Sequence, residues 1–141
     1  MIGKNNPLNI RTSTSYNWAG QCGATRGFCD FDGVEMCRRA GAYLLMRSYR
    51  RAHCRKLSEI ICRWAPSTEN DTASYIKAVC DLTGFKAQTN ITFDSDFATL
   101  LAAMEIVEVG VERSRRETYF ANAKASYLYV INQFNLKSYE G

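Results

Sequence analysis

At 141 residues, 46% hydrophobic and 23% charged, the chain is long enough for one domain with its own core and too mixed for a fibrous or disordered protein. Two prolines, nine glycines and no biased tract exclude a long linker, and no apolar run is long enough to span a bilayer. The net charge of +4 (18 basic against 14 acidic residues) is modest but uneven, because Met36 to Ser58 carries Arg38, Arg39, Arg47, Arg50, Arg51, Arg55 and Lys56 with no acid. Such an excess suits a polyanion, although a solvated helix face explains it more simply.

Residues 1–32 read as a loop-rich flap. Pro7 turns Asn6 away from helix, and Gly20, Gly23 and Gly27 punctuate the rest of the flap, with room for a short hairpin between residues 9 and 31. From Gly33 the apolar period becomes helical: Val34, Cys37, Gly41, Leu44, Leu45 and Ser48 share one face of a helix that should reach about His53. Asp32 with Glu35 three residues on has the spacing of a capping box at its start. A second helix carries Leu57, Ile60, Ile61 and Trp64 and stops at Pro66. A third starts near Asn70, carries Ala73, Ile76, Val79 and Cys80, and stops at Gly84, a natural C-terminal cap. Asp94, Ser95 or Asp96 opens a fourth, whose stripe is Phe97, Leu100, Leu101, Met104 and Val107, closed by Gly110. Glu112 to Glu117 is a charged connection, and Tyr119 to Phe134 reads as a last helix rather than a strand. The expected architecture is mainly α: one compact domain over 1–141, with a flap (1–32), a helical core (33–110) and a C-terminal extension (111–141).

Six cysteines are many for this length, but no two form a C-x-x-C pair and His53 is the sole histidine, so no metal site is expected. Cys37, Cys62 and Cys80 fall on apolar faces, where a thiol acts as a small hydrophobe. Cys22 and Cys29 are placed to bridge in an oxidising compartment, but reduced thiols are expected. A cysteine nucleophile would need His53 beside a thiolate, and Cys54 points to a different helical face. No phosphate-binding glycine loop is present, so no cofactor is expected.

Several blocks in order carry a resemblance. Asn5-Asn6-Pro7-Leu8-Asn9-Ile10-Arg11 is followed by Trp18-Ala19-Gly20, Phe28 to Phe31, Arg39-Ala40, Arg63-Trp64-Ala65-Pro66, Glu69-Asn70-Asp71-Thr72 and Tyr75. Over roughly residues 3–84 this resembles a family of phage and prophage proteins described as virion structural proteins or virion-associated peptidoglycan hydrolases. A more distant similarity is to bacterial cell-wall glucosaminidases of the lysozyme superfamily, which carry an Asn-x-x-(Gly/Asn)-Ile-(Lys/Arg) turn, a Trp-x-Gly and a late Ala-Thr-Asp-x-x-Tyr segment. The resemblance implies a lysozyme-like helical fold with a groove for glycan strands, and peptidoglycan and other virion proteins as partners. In those enzymes the main catalytic glutamate ends a helix that precedes the asparagine turn. Here only Met1 to Lys4 precede Asn5, so either another carboxylate does the chemistry or the chain does none. The N-terminus also lacks the apolar core of a signal peptide, so synthesis in the cytosol is expected, with a virion or the cell wall as destination.

The segment Arg63 to Tyr75 gathers acids, amides, hydroxyls and aromatics between two helices. Glycoside cleavage needs a proton donor in a partly apolar setting, often with a second carboxylate. Glu69, near Trp64 and Pro66 in sequence, is the candidate general acid, with Asp71 as its partner; ordinary first-turn and capping roles explain both equally well. Asn9, Arg11, Trp18, Trp64 and Tyr75 suit sugar recognition, the rings covering a pyranose face and the polar groups meeting its substituents. Core packing is the simpler role for both tryptophans. The reading is therefore a glycan-strand hydrolase or lytic transglycosylase of phage or mobile-element origin, with a non-catalytic virion or wall-binding module as alternative. Nucleic acid is the least favoured partner.

Overall fold

The protein is described from a computed structural model covering residues 1–136; the last five residues of the expected C-terminal extension lie outside the described residues. Among the described residues, five helices and one small hairpin make up the fold. Strand β1 (Gln21–Thr25) pairs antiparallel with β2 (Phe28–Phe31). The two residues between them, Arg26 and Gly27, both have positive φ (49° and 83°), the backbone that a tight two-residue hairpin requires.

The N-terminal stretch is held onto this hairpin by one side chain. Asn6 is fully buried, and its amide donates to the carbonyls of Ile10 and Cys29 (both 2.9 Å). Its Oδ1 accepts from the Ile10 amide (2.9 Å) and the Cys37 thiol (3.3 Å). Four bonds thus tie the turn, β2 and the first helix together. The turn closes through the Asn9 amide to the Asn6 carbonyl (3.1 Å), with Asn9 at φ 53°, a conformation asparagine tolerates better than most residues.

Helix α1 (Val34–Tyr43) continues through a π-helical turn (Leu44–Ser48) and a last turn (Tyr49–Arg51). The expected capping box does not form. Gly33 occupies the N-cap without a side-chain bond, because the Asp32 amide is taken up by the Gly20 carbonyl (2.8 Å) at the base of the hairpin. Leu8 packs so closely on Gly41 that any side chain there would collide with it. Helix α2 (Leu57–Trp64) buries Leu57, Ile60 and Ile61, and the Glu59 carboxylate accepts from the amide of Lys56 (2.9 Å). Helix α3 (Thr72–Thr83) is capped by Asp71, which accepts from the Ser74 amide (3.1 Å), and ends at Gly84 with φ 79°.

Helix α4 (Asp94–Val109) is the axis of the domain. It packs on α3 and α1 and, most extensively, on α5 (Arg116–Gln133), which comes after a 3₁₀ turn at Arg113–Arg115. Every residue from Leu100 to Ile106 is buried, so α4 is enclosed on all sides instead of presenting a stripe. Glu105 lies in this buried run, and Glu108, half-buried, lies two residues beyond it.

The arginines of α1 are largely engaged with the chain itself. Arg38 pairs with Glu105, Arg39 stacks on Phe134 (4.2 Å), Arg47 donates to the Asn135 carbonyl (3.2 Å) and Arg51 to the Tyr43 hydroxyl (3.0 Å). No helix among the described residues is long and apolar enough to cross a membrane.

Candidate active site

A cavity of about 500 Å³, within the usual size of small-molecule sites, lies where three parts of the chain meet. The Asn9–Ser13 stretch with Tyr16 and Trp18 forms one wall, and the joint from Arg63 to Asn70 forms the other. Leu44 from the π-helical turn and Glu108 from the end of α4 also line it. The Asn9–Ser13 stretch and the Arg63–Asn70 joint therefore face each other across one groove.

Of the candidates named from sequence, Asn9, Arg11, Trp18, Trp64 and Glu69 line the cavity. Glu69 is exposed at the rim, in a turn closed by its amide on the Pro66 carbonyl (3.0 Å). Asp71 does not line the cavity: as the cap of α3 it binds the amide and the hydroxyl of Ser74 (3.1 and 2.7 Å), which hold its carboxyl below the ordinary range. Tyr75 stands behind the wall, buried, and reaches the site through its hydroxyl.

What Tyr75 reaches is Glu108, a residue that no sequence motif nominates. Glu108 Oε2 accepts from the Tyr75 hydroxyl (2.8 Å) and from the Trp64 indole (3.1 Å). Its Oε1 accepts from the Asn9 amide (3.1 Å). A carboxylate offers about four lone-pair sites, so Oε2 is filled and Oε1 keeps one open. Among the described residues no cation lies within ion-pair distance of it. Burial, then the neighbouring Glu108, push the Tyr75 hydroxyl well above its ordinary value, so it stays protonated and donates to Glu108. Four of the residues in this cluster (Asn9, Trp64, Tyr75, Glu108) come from four different segments, and three of them are sequence candidates. The available signal for the fourth is an acid inside an apolar helical run, which must be paired or functional.

The aromatic side of the groove is also built. Tyr16 and Trp18 stack face to face (4.5 Å, 5° between planes), and Trp18 meets Tyr43 edge-on at 5.8 Å. The Tyr16 hydroxyl is fixed to Ser48 Oγ at 2.6 Å, one residue of the π-helical turn. On the other side Trp64 packs edge-on against Tyr49 (6.4 Å).

All six cysteines are free. Burial raises the Cys29 thiol and pushes Cys37 up to about 12, so neither offers a thiolate. Among the described residues no group of three or more histidine, cysteine or acidic side chains could hold a metal.

Protein P5 of Pseudoalteromonas phage PM2 is similar to this chain, with 32% identity over 113 residues, 77% of this chain and 70% of P5. The chain belongs to the family of this phage protein. No protein-family model matches it.

Proposed function

We propose that the groove binds a peptidoglycan glycan strand and cleaves it, with Glu108 as the general acid. The observation that carries this reading is the contact between Asn9 and Glu108. In the cell-wall glucosaminidases that the chain resembles, the catalytic glutamate ends a helix beside an asparagine turn. Glu108 ends α4 beside such a turn, although α4 comes late in the chain. This placement of a glutamate beside the asparagine turn supports a lysozyme-like reading of the groove.

In this mechanism the open site on Oε1 carries the proton, which passes to the glycosidic oxygen as the bond to the anomeric carbon breaks. Tyr75 and Trp64 hold the other oxygen still. The Tyr16–Trp18 stack covers one face of a pyranose. Glu69 on the rim activates water if the product has a reducing end. If the sugar's own hydroxyl attacks instead, its proton passes to the Glu108 carboxylate left by the first transfer, the product is anhydro and Glu69 is dispensable. Membership of a phage family suits a chain that opens a cell wall, and we place it in the virion with other virion proteins as partners.

Release of soluble muropeptides from purified sacculi tests the reading. Glu108→Gln should lower release by about 10²-fold or more while the fold is kept. Glu69→Gln should lower it only if the product is reducing. Full turnover by Glu108→Gln would remove Glu108 from the chemistry. A second reading, a wall-binding module without turnover, is favoured by the same three hydrogen bonds, which would also satisfy a structural carboxylate. Binding to sacculi with no release from the wild type would decide for it.

A further inference from the structure

We infer that Arg11 and Arg63 make this groove selective for glycan strands that carry carboxylates, against neutral strands of the same N-acetylated sugars. The inference rests on the proposed glycan-binding role of the groove and names what that groove selects. Both arginines line the cavity, one on each wall. Each guanidinium lies over an aromatic ring, Arg11 on Phe28 at 4.7 Å and Arg63 on Tyr49 at 5.4 Å. Stacking fixes the plane of the group while leaving its N–H edge open. Both residues are exposed, and neither has a carboxylate within ion-pair distance among the described residues.

This sets them apart from Arg38 of α1, which is consumed by Glu105. The groove also contains two acids, Glu69 and Glu108, yet neither is paired with these arginines. Two oriented, unpaired forks across a groove are matched by planar anions on the ligand, which a guanidinium binds through two parallel hydrogen bonds. The two guanidinium groups stand on the walls and not on the floor, so the carboxylates must sit on substituents projecting toward the walls. A glycan with carboxylates on side groups has that shape, and a neutral homopolymer does not. The carboxylates come either from the lactyl ether of the sugar or from a peptide attached to it. A nucleic acid would place its charges along its backbone instead.

Binding is measured with Glu108→Gln, so that turnover does not intervene, on three probes: strands with stem peptides, strands stripped of peptide by an amidase, and a neutral chito-oligosaccharide. Both anionic strands should bind about ten-fold or more tighter than the neutral one at low salt, and the margin should shrink at high salt. Arg11→Gln with Arg63→Gln should collapse the margin, and the Lys pair should restore part of it. A preference for strands with peptide alone assigns the carboxylates to the peptide; equal binding of the two anionic strands assigns them to the lactyl group. Equal binding of charged and neutral strands, or a margin unchanged in the double Gln variant, overturns the selectivity and leaves the glycan reading standing. No binding to any strand, or tighter binding of a single-stranded oligonucleotide, overturns both.

Discussion

Glu105 and Glu108 are separated by one turn of α4, yet their surroundings assign them opposite tasks. Glu105 is fully buried and accepts four bonds: two from Arg38 (3.0 and 2.8 Å), one from Tyr119 (2.5 Å) and one from Tyr127 (2.8 Å). Nothing on it is left for a ligand. Glu108 accepts three side-chain bonds, all from neutral donors, and faces a cavity. A buried acid is therefore read by its unfilled positions. A carboxylate saturated by a cation and hydroxyls is a fastening between helices; one held by neutral donors keeps a lone pair open toward the cavity.

The largest expected effect on stability comes from breaking the fastening. Glu105→Gln leaves the Arg38 guanidinium, 19% exposed, without its counter-charge, and should cost about 3–5 kcal/mol in a denaturant titration. The pH dependence sharpens the same point. Burial raises the Glu105 carboxyl, but Arg38 and the two tyrosines outweigh it and hold the group below its ordinary 4.5 in the folded chain. Its contribution is therefore complete above that value and is lost as pH falls through the lower folded one. Wild-type stability should drop on acidification below pH 4.5, and Glu105→Gln should show a flatter acid limb. An equally steep limb in the variant would assign the acid sensitivity elsewhere.

Next comes Asn6, which brings the Asn9 turn to Glu108 without touching the groove. Asn6→Ala orphans the buried Ile10 amide and removes the side-chain bonds to the Ile10 and Cys29 carbonyls, the first of which keeps the Cys29 amide, and should cost about 2–3 kcal/mol. Chemical denaturation reads the cost. Because the turn loses its anchor, muropeptide release should fall further than the unfolded fraction explains. Tyr75→Phe is milder: it removes one bond from Glu108 Oε2 and should cost about 1 kcal/mol. The carboxylate then keeps only the indole on that oxygen, so turnover should fall by about ten-fold, read as kcat with KM little changed. A loss confined to stability would make Tyr75 a packing residue.

Much of the helical frame is legible in the sequence. The 3.6-residue period places α2, α3 and α4, and Asp71, Gly84 and Gly110 mark ends that the structure keeps. These features are local. What is not legible is set by contacts across the chain. Asp32 has the spacing of a cap, but its amide is claimed by Gly20 across the hairpin. The π-helical turn at Leu44–Ser48 leaves no mark in the apolar pattern, which runs through it. Glu108 is the clearest case: its partner Asn9 is 99 positions away, so no window of sequence contains both. The two groove walls could be paired from their family resemblance, whereas the floor could not, because the glutamate-bearing helix comes late in chain order.

The smallest stability effect should come from the substitution with the largest effect on turnover. In Glu108→Gln the amide oxygen can occupy the Oε2 position and keep the bonds from Tyr75 and Trp64. The new amide nitrogen then meets the Asn9 side chain, which currently donates. A half-turn of the Asn9 amide presents its oxygen instead, at the cost of two long contacts of 3.4 Å, to the Ile2 amide and the Glu108 carbonyl. Every strong bond survives, so the loss should be under about 1 kcal/mol. What cannot survive is the acidic proton. A melt within error of wild type alongside abolished muropeptide release would separate the two glutamates completely: one whose charge holds helices together, one whose carboxyl group is dispensable to the fold. A destabilisation as large as that of Glu105→Gln would instead make Glu108 a second fastening and leave the groove without an acid on its floor.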